Sequence, residues 1–434
     1  MENIDNMLEY LYPTFVYFLS FVTLFLWLYV KKYSLVPLYI VGIWCVSSFF
    51  AILFQLAYDV KYEKLSILPY VFLFICFCIS LFPIVKCQKR MENTIPCMTF
   101  SLFDKIIWVF VLLSLIPFYE NMRYVISSYG AIDTSGLADM YNDKMYGDGI
   151  KVTWLSSLGM IGNSLDGIFI QLLVFIPFYF LTREKINKYL LLFSFLPVLN
   201  HVLFQLASSG RGFATQFLLD AVFLILLFRK QIPSTRLKKL KLVSLVVIPC
   251  FFLLLSILTL ARGNSSNKGV ETSITVGYYV AKSHLDFNES LWTIRKHTEG
   301  DNSFGFVKNL IGLDVPKDKN AYWNYSKTGI IPSLFYTYIG DWYMDFGAII
   351  TIILFIIWSF VSLKIFTRVK TSATLLPFFM YFVFCEILIN GWSMNIFKTS
   401  GSFRNLLFSI FLLIIIQKLS KKGNICVRKT EKQG

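Results

Sequence analysis

Long apolar segments recur along this chain from beginning to end, and they limit what it can fold into. A segment such as VFLFICFCISLFPIV, residues 71–85, carries no charged side chain. A helix needs about 20 apolar residues to cross a bilayer, and in the hydrocarbon core its backbone groups must be hydrogen-bonded within the protein. Charged residues make up 15% of the chain, against about a quarter in soluble domains. The sequence therefore predicts an all-α polytopic membrane protein.

The apolar segments predict eleven transmembrane helices in a single integral membrane domain, residues 1–434. The fifth helix is long, and we expect it to be tilted or broken around Gly159, Gly162 and Gly167. The acidic N-terminal segment lacks the basic region of a cleavable signal peptide, which predicts an uncleaved first helix with its N-terminus outside. The predicted helices cover residues 8–30, 36–57, 66–86, 104–123, 154–181, 189–208, 213–228, 242–261, 342–363, 374–392 and 404–417.

The distribution of charged residues fixes the predicted orientation of these helices. With the N-terminus outside, the inner connections hold more than half of the 41 Lys and Arg residues but few of the 26 acidic residues. Cytoplasmic loops are enriched in Lys and Arg, so we predict a cytoplasmic C-terminus. The net charge of +15 is then a signal of topology. A nucleic-acid partner is disfavoured because the basic residues are spread over every inner loop.

Two predicted outer loops are long enough to carry a functional site, residues 124–153 and 262–341. Loops of this length are usually functional or disordered, and the many Tyr and Trp residues of the second loop argue against disorder. We expect short helices there, lying on the outer membrane face. The inner connections are too short for a catalytic domain, so any chemistry is predicted outside or in a cavity that opens outward.

Several common catalytic motifs are missing from the sequence. It contains no GxxxxGK[ST] phosphate loop, no HExxH zinc motif and no GxSxG nucleophile elbow. It also contains no Asp-x-Asp pair, with which many glycosyltransferases hold a divalent metal beside a nucleotide sugar. An outward-facing enzyme of this kind needs a donor that is already activated and already in the membrane. We expect no metal and no other cofactor.

Arginines at the predicted outer helix ends are the main candidate binding residues. Arg211 lies in the turn SSGRG, residues 208–212, where Gly210 and Gly212 let a ligand approach the backbone closely. A guanidinium group is a rigid fork of donors that suits phosphate oxygens; the alternative is a cation that anchors a helix end at the interface. The residues expected to join Arg211 at one pyrophosphate group are Ser209, Arg262, Arg404 and, as a weaker candidate, Arg123.

The large outer loop contains the candidate general bases. His284, with Glu289 and Asp286 as rivals, is placed to remove a proton from a sugar hydroxyl, or it is an ordinary residue beside a short helix. Asp341 and Asp345 stand just before the predicted ninth helix and would share a face if this helix starts early. Sugar binding and helix capping explain these two residues equally well.

The turn SSGRG, a large outer loop and the stretch NAYWNY…FYTYIGDWYMDFGAI together resemble the Wzy-type polymerases of bacteria. That family joins oligosaccharide repeat units into the O-antigen of lipopolysaccharide or into capsule. Its Ser-x-Arg-Gly-like turn corresponds to Ser209–Gly212. Its aromatic-rich Asn-x-Tyr…Asp-Phe-Gly stretch corresponds to Asn320, Tyr322, Asp345, Phe346 and Gly347. The resemblance spans roughly residues 200–420, and the first half of the chain matches in hydropathy alone.

The resemblance implies a GT-C-like, metal-independent glycosyltransferase in the bacterial cytoplasmic (inner) membrane. Its substrates would be undecaprenyl-diphosphate-linked oligosaccharides, and a chain-length regulator and a flippase would be its protein partners. Arg211, with Arg262 and Arg404, would stabilise the leaving diphosphate, and His284 or Glu289 would take the proton. Candidate platforms for sugar rings are Tyr278, Tyr279, Tyr322 and Trp323.

Two other functions stay open. An O-antigen ligase-like transferase would use the same donor with another acceptor. A lipid-linked oligosaccharide flippase or transporter would use acidic residues inside the membrane, where Asp220 and Glu386 are predicted. A flippase should line a central cavity with charges along several helices, whereas the cations here gather at the outer helix ends.

Replacing Arg211 with Ala should abolish the polymer, because the variant loses the cation expected to bind the diphosphate. The protein should still insert into the membrane. Electrophoresis of cell-surface glycans measures the polymer, and immunoblotting of membrane fractions measures insertion. Normal long-chain polymer in the variant would exclude this role.

Overall fold

A computed structural model shows a protein that is mostly helical in its described part. The structure describes residues 2–57, 62, 65–97, 100–131, 152–207, 212–243, 245, 249, 280–313, 315, 336–369, 372–397 and 400–420. The first half of this part contains α1 (Glu2–Val30), α2 (Leu35–Ala57), α3 (Ile67–Asn93), β1 (Ile95–Cys97), α4 (Phe100–Ala131), α5 (Ser157–Ile168), α6 (Ile170–Thr182), α7 (Lys188–Phe193), α8 (Leu196–Ala207) and α9 (Gly212–Phe228).

The second half contains helical stretches at 234–243 and 280–286, the latter continuing as a π-helix, Phe287–Leu291. We refer to residues 280–291 as the 280–291 helix. The remaining elements are α10 (Asp301–Leu310), α11 (Tyr338–Thr367), β2 (Ser372–Thr374), α12 (Leu375–Asn390) and α13 (Ser400–Ser420). β1 and β2 form a parallel pair of three residues each.

Seven described helical segments are long and apolar enough to cross a membrane, and α5 with α6 makes an eighth if the pair is one span. This confirms the predicted helical, multi-pass character. The predicted break in the fifth helix is also confirmed, because α5 and α6 are bent by 74°. The number of eleven spans stays a prediction, as does the orientation. Most of the predicted eighth helix, residues 242–261, lies outside the described residues.

Serine side chains show how polar groups are accommodated in these apolar helices. Ser20, Ser48, Ser80 and Ser114 each donate a hydrogen bond to the backbone carbonyl one turn earlier in the same helix, at 2.9, 2.8, 2.9 and 2.7 Å. A hydroxyl group that cannot reach water needs such a partner. The four serines therefore interrupt the apolar pattern in sequence without an unpaired hydroxyl in the structure.

The chain divides into two compact units. The first comprises Met1–Lys89, Ile248–Thr367 and Val383–Arg404. Its core is aromatic: the ring of Trp44 lies 4.7 Å from that of Phe77 and 5.6 Å from that of Phe21. The Trp44 indole donates to the carbonyl of Leu388 at 2.8 Å, which gives a fully buried N–H a partner.

Within this unit, α11 is interrupted at Gly347, whose φ of 70° and ψ of −179° are accessible almost exclusively to glycine. The interruption releases carbonyl groups that a continuous helix would use internally. The backbone N–H of Thr298 donates to the carbonyl of Met344 at 3.0 Å, and that of Glu299 donates to the carbonyl of Asp345 at 2.9 Å. The break therefore joins α11 to the segment that leads into α10.

The second unit comprises Arg90–Val247, Arg368–Phe382 and Asn405–Gly434. Here α4 packs closely against α5, because Gly162 offers no side chain: a Cβ at this position would overlap the carbonyl of Leu113 and the ring of Pro117. Such close approach through small residues is typical of membrane helices. Gly162 is thus a helix contact, while the bend itself comes at Phe169.

Basic residues stabilise the predicted cytoplasmic helix ends of the second unit. Arg183 forms a two-pronged ion pair with Asp104, at 2.6 and 3.1 Å. Arg236, from the predicted inner loop, donates to the carbonyls of Leu181 at 3.1 Å and of Glu184 at 3.0 Å, and it also contacts the carbonyl of Arg183. Cations at the C-terminal end of a helix satisfy its last carbonyls, so these arginines have a structural use beyond orientation.

Replacing Gly347 with Ala should destabilise the first unit. A side chain in this backbone conformation costs about 1–3 kcal/mol, and its Cβ would lie 2.8 Å from Nε2 of His297. The measurement is the thermal unfolding midpoint of the full-length protein in detergent. Gly401→Ala in α13 is the matched control, because its Cβ would meet nothing within 4 Å. Equal midpoints for the two variants would contradict the strain assigned to Gly347.

Candidate functional site

A groove of about 540 Å³ lies beside the last turns of α4 in the second unit. By the predicted topology this is the outer end of α4. Its lining combines apolar, aromatic and charged side chains: Leu115, Ile116, Tyr119, Glu120, Arg123, Tyr124 and Ser127 from α4, with Trp154 from the segment before α5. Such a mixture of apolar surface and a few polar groups is common in small-molecule sites.

Tyr124 and Trp154 form an aromatic wall in this groove. Their rings stack with centroids 4.3 Å apart and planes 14° from parallel. The Trp154 indole N–H donates to Oδ1 of Asn121 at 2.8 Å. The stacking of the two rings on each other and the hydrogen bond of Trp154 therefore fix the position of the wall.

Glu120 and Arg123 bring opposite charges to the same groove, one helical turn apart. The Glu120 carboxylate accepts from the backbone N–H of Ser156 at 3.2 Å, beside the first turn of α5. Gly159 makes room for it, since a Cβ there would overlap the carboxylate. Arg123 is exposed. The groove thus offers a cation for an anionic group, a carboxylate for a hydroxyl group and an aromatic surface for a ring.

A chain of buried polar side chains extends from the aromatic wall into the second unit. Asn121 donates to Oδ1 of Asn200 at 2.8 Å, and Asn200 donates to Oδ2 of Asp166 at 2.7 Å. The other carboxyl oxygen of Asp166 lies 2.7 Å from Oγ of Ser114. All four side chains have no exposed surface. This chain, the polar relay, connects α4, α5 and α8.

His284, predicted as a base in an outer loop, lies in the 280–291 helix within the core of the first unit and is fully buried. The hydroxyl of Ser47 donates to the carbonyl of Val280 at 2.9 Å. Its oxygen therefore accepts a hydrogen bond from Nε2 of His284 at 2.6 Å. Nδ1 then accepts from the Tyr17 hydroxyl at 3.1 Å. Burial lowers the pKa of His284 to about 3. The ring is neutral, and both nitrogens have partners inside the protein.

The rival bases lie on the same helix. Asp286 is buried, accepts from the Tyr62 hydroxyl at 2.9 Å and lies 3.9 Å from Nζ of Lys282, itself buried. Glu289 is half-buried in the π-helical turn. Burial, followed in size by the nearby carboxylates of Asp286 and Asp341, raises the pKa of Tyr336. The 280–291 helix thus carries several ionisable side chains into the core of the first unit.

Asp341 and Asp345 share a buried face of α11, because this helix begins at Tyr338, before the predicted start. Asp341 accepts from the backbone N–H of Asn395 at 2.7 Å. Asp345 accepts from the backbone N–H of Ser303 at 2.7 Å and contacts the Thr298 hydroxyl. Ser303 lies in the first turn of α10, so Asp345 caps α10 from another helix.

The predicted arginine cluster is partly described. Arg123 lies in the groove of the second unit, whereas Arg404 is exposed near the start of α13 and belongs to the first unit. Gly212 is the first residue of α9, and a Cβ there would meet nothing within 4 Å. The other predicted site residues lie outside the described residues: Ser209, Gly210, Arg211, Arg262, Tyr278, Tyr279, Tyr322 and Trp323.

Sequence reasoning missed most of the groove. Arg123 is only a weak candidate from the sequence, and no sequence motif points to Glu120 or Trp154. One signal was available: Asn121 and Asn200 are strongly polar amides inside otherwise apolar helices. Such residues usually pair with one another across a helix contact, and here they lead directly to the groove.

Comparisons of the chain with known protein families, with curated proteins and with solved structures find no match. Within the described residues, no group of three or more His, Cys, Asp or Glu side chains is arranged to hold a metal ion. A proposal for the function must therefore rest on the chemistry of the groove.

Replacing His284 with Gln should destabilise the protein, because Gln cannot make both hydrogen bonds of the ring and each contributes about 1 kcal/mol. The variant should also lose a pH dependence. In the wild type the unfolded histidine takes up a proton below about pH 6.5, while the folded one resists down to about pH 3. Wild-type stability therefore falls as the pH is lowered through this window.

Thermal unfolding midpoints in detergent at about pH 7.5 and about pH 5 measure both effects, on either side of the ordinary histidine pKa. The wild-type midpoint should drop more between the two conditions than that of the Gln variant. An unchanged midpoint at the higher pH would show that the ring does not stabilise this core.

Proposed function

We propose that this protein is a glycosyltransferase of the bacterial cytoplasmic membrane. It would polymerise undecaprenyl-diphosphate-linked oligosaccharide repeat units into O-antigen or capsular polysaccharide at the outer membrane face. The observation that carries the proposal is the groove beside α4, where Arg123, Glu120 and the aromatic wall of Tyr124 and Trp154 lie together. A lipid-linked sugar requires these three kinds of contact, with its phosphate, its hydroxyls and its ring.

In the proposed reaction, a hydroxyl of one lipid-linked repeat unit attacks the anomeric carbon of the glycan on a second lipid. The new C–O bond forms as the bond from that carbon to the diphosphate breaks, and the diphosphate leaves with the bonding electron pair. Arg123 stabilises this developing charge, with Arg211 as a further candidate cation. No metal is required for that electrostatic role.

Glu120 is the proposed acceptor of the hydroxyl proton, because its carboxylate lines the groove. A base must contact the hydroxyl that it deprotonates. His284 has no such opening in the first unit, since Tyr17 and Ser47 occupy its two nitrogens. We therefore propose that His284 stabilises the fold and that the proton transfer takes place at Glu120.

A deletion strain tests the reaction class. A polymerase mutant should still display a single repeat unit on its surface. Loss of all surface repeat units would instead indicate a flippase. Full-length polymer that stays on its lipid carrier would indicate a ligase. Electrophoresis of surface glycans and of extracted lipid-linked glycans separates the three outcomes.

Complementation of that strain tests the groove. Arg123→Ala should reduce polymer about tenfold or more, because a charge-assisted contact with the diphosphate is lost. Arg123→Lys should be intermediate, since it keeps the charge but loses the planar fork. Lys188→Ala, which removes an exposed cation at the predicted cytoplasmic end of α7, is the control and should not change the polymer. Equal polymer from Arg123→Ala and the control would remove Arg123 from the site.

A further inference from the structure

We propose that the aromatic wall of Tyr124 and Trp154 is a binding subsite for a pyranose ring, and that Asp166, as an uncharged acid, positions this wall through the polar relay. The identification of the sugar as part of a lipid-linked oligosaccharide rests on the proposed function. The subsite and its relay rest on the hydrogen bonds alone.

The direction of every hydrogen bond in the relay follows from Trp154. An indole N–H can only donate, so the atom of Asn121 that it meets at 2.8 Å must be Oδ1. The amide nitrogen of Asn121 then donates to Asn200, which must present its own Oδ1. Asn200 is left with its amide nitrogen to donate to Oδ2 of Asp166. One donor-only group at the groove therefore orients two buried amides and ends at a carboxyl oxygen.

The opposite end of the relay favours a protonated Asp166. Oγ of Ser114 lies 2.7 Å from the carbonyl of Phe110 and 2.7 Å from Oδ1 of Asp166. A hydroxyl has one proton, so it cannot make a short, linear hydrogen bond to both acceptors at once. If Oδ1 of Asp166 carries a proton, it donates to Ser114, and Ser114 donates to Phe110. Every group is then paired, and no ionised carboxylate is buried in an apolar helix contact.

The relay supports the aromatic wall from the buried side of the groove, through the hydrogen bond between Asn121 and Trp154. Asp166 lies on α5, Asn200 on α8 and Asn121 on α4, so three helices fix the position of the Trp154 indole, on which Tyr124 stacks. A rigid aromatic surface suits the C–H face of a sugar ring. Glu120 and Ser127 line the same groove and are placed to hydrogen-bond the ring hydroxyls.

Two substitutions separate a neutral positioning acid from other roles. In Asp166→Asn, the new amide accepts from Asn200 and donates to Ser114, which is the pattern of the protonated acid. Asp166→Leu removes both hydrogen bonds and leaves the Asn200 amide without its partner. An ionised Asp166 has no proton to donate to Ser114. The Asn variant would then not reproduce the wild-type hydrogen bonds and should be impaired.

The experiment uses the full-length protein in lipid nanodiscs, with its nine tryptophans labelled as fluorotryptophan. Trp154→Phe assigns the Trp154 resonance in the fluorine NMR spectrum. The probes are the methyl glycosides of glucose, galactose and N-acetylglucosamine, with inorganic pyrophosphate as a separate probe. We expect at least one glycoside to shift the Trp154 resonance saturably. Asp166→Leu should move this resonance without ligand and raise the Kd of the glycoside about tenfold, whereas Asp166→Asn should stay within about twofold of wild type.

Three results would overturn the proposal. A Trp154 resonance that responds to pyrophosphate but to none of the glycosides would make the groove an anion site. An unchanged glycoside Kd in Asp166→Leu would reduce the relay to helix packing. An Asn variant as impaired as the Leu variant would contradict the uncharged acid.

If Asp166→Leu does not fold, Trp154→Phe tests the same link without altering the buried residues. It keeps an aromatic ring but removes the indole donor, so it should weaken glycoside binding about threefold or more, as expected for one lost hydrogen bond. Saturation-transfer NMR on the glycoside measures this, and unchanged binding would count against the relay. These binding measurements do not depend on polymer formation, so a failed polymerase test and a failed subsite test remain distinguishable.

Discussion

The structure depends on one constraint: a polar group that is kept from water must find its partner inside the protein. Serines in four helices donate hydrogen bonds to carbonyl groups of their own helix, and the Trp44 indole donates to the carbonyl of Leu388. His284 forms hydrogen bonds with hydroxyl groups from α1 and α2. The relay from Trp154 to Asp166 is the longest case among these, and it ends at the groove. The constraint that shapes the core is therefore the same one that fixes the candidate site.

The sequence predicts the local features of this fold well and the distant contacts poorly. Apolar length predicts the membrane-spanning helices, and of the three glycines predicted to break the fifth helix, Gly167 lies two residues before the bend at Phe169. The relay joins Asn121 to residues 33 and 79 positions away, and no periodicity encodes such pairings. The burial of His284 is not predictable for a similar reason: polar residues surround it in the sequence, while its partners Tyr17 and Ser47 come from far earlier in the chain.

The Asp-Phe-Gly stretch shows how a motif can have a structural meaning of its own. Asp345 caps α10, the ring of Phe346 packs against Gly300, and Gly347 interrupts α11. All three act on the joint between two helices of the first unit. In the structure these three residues therefore hold α11 in place, whereas the contacts proposed for the substrate lie in the second unit.

The fixed direction of the relay also bears on how this protein changes over generations. Each amide presents its oxygen toward the groove and its nitrogen toward Asp166, so a replacement at one position must keep the donor or acceptor that its neighbour requires. An exchange that removes a donor or an acceptor breaks the series, as Asp166→Leu does, whereas Asp166→Asn keeps the pattern of the protonated acid. Changes at positions 114, 121, 154, 166 and 200 should accordingly be limited to combinations that keep each donor opposite an acceptor.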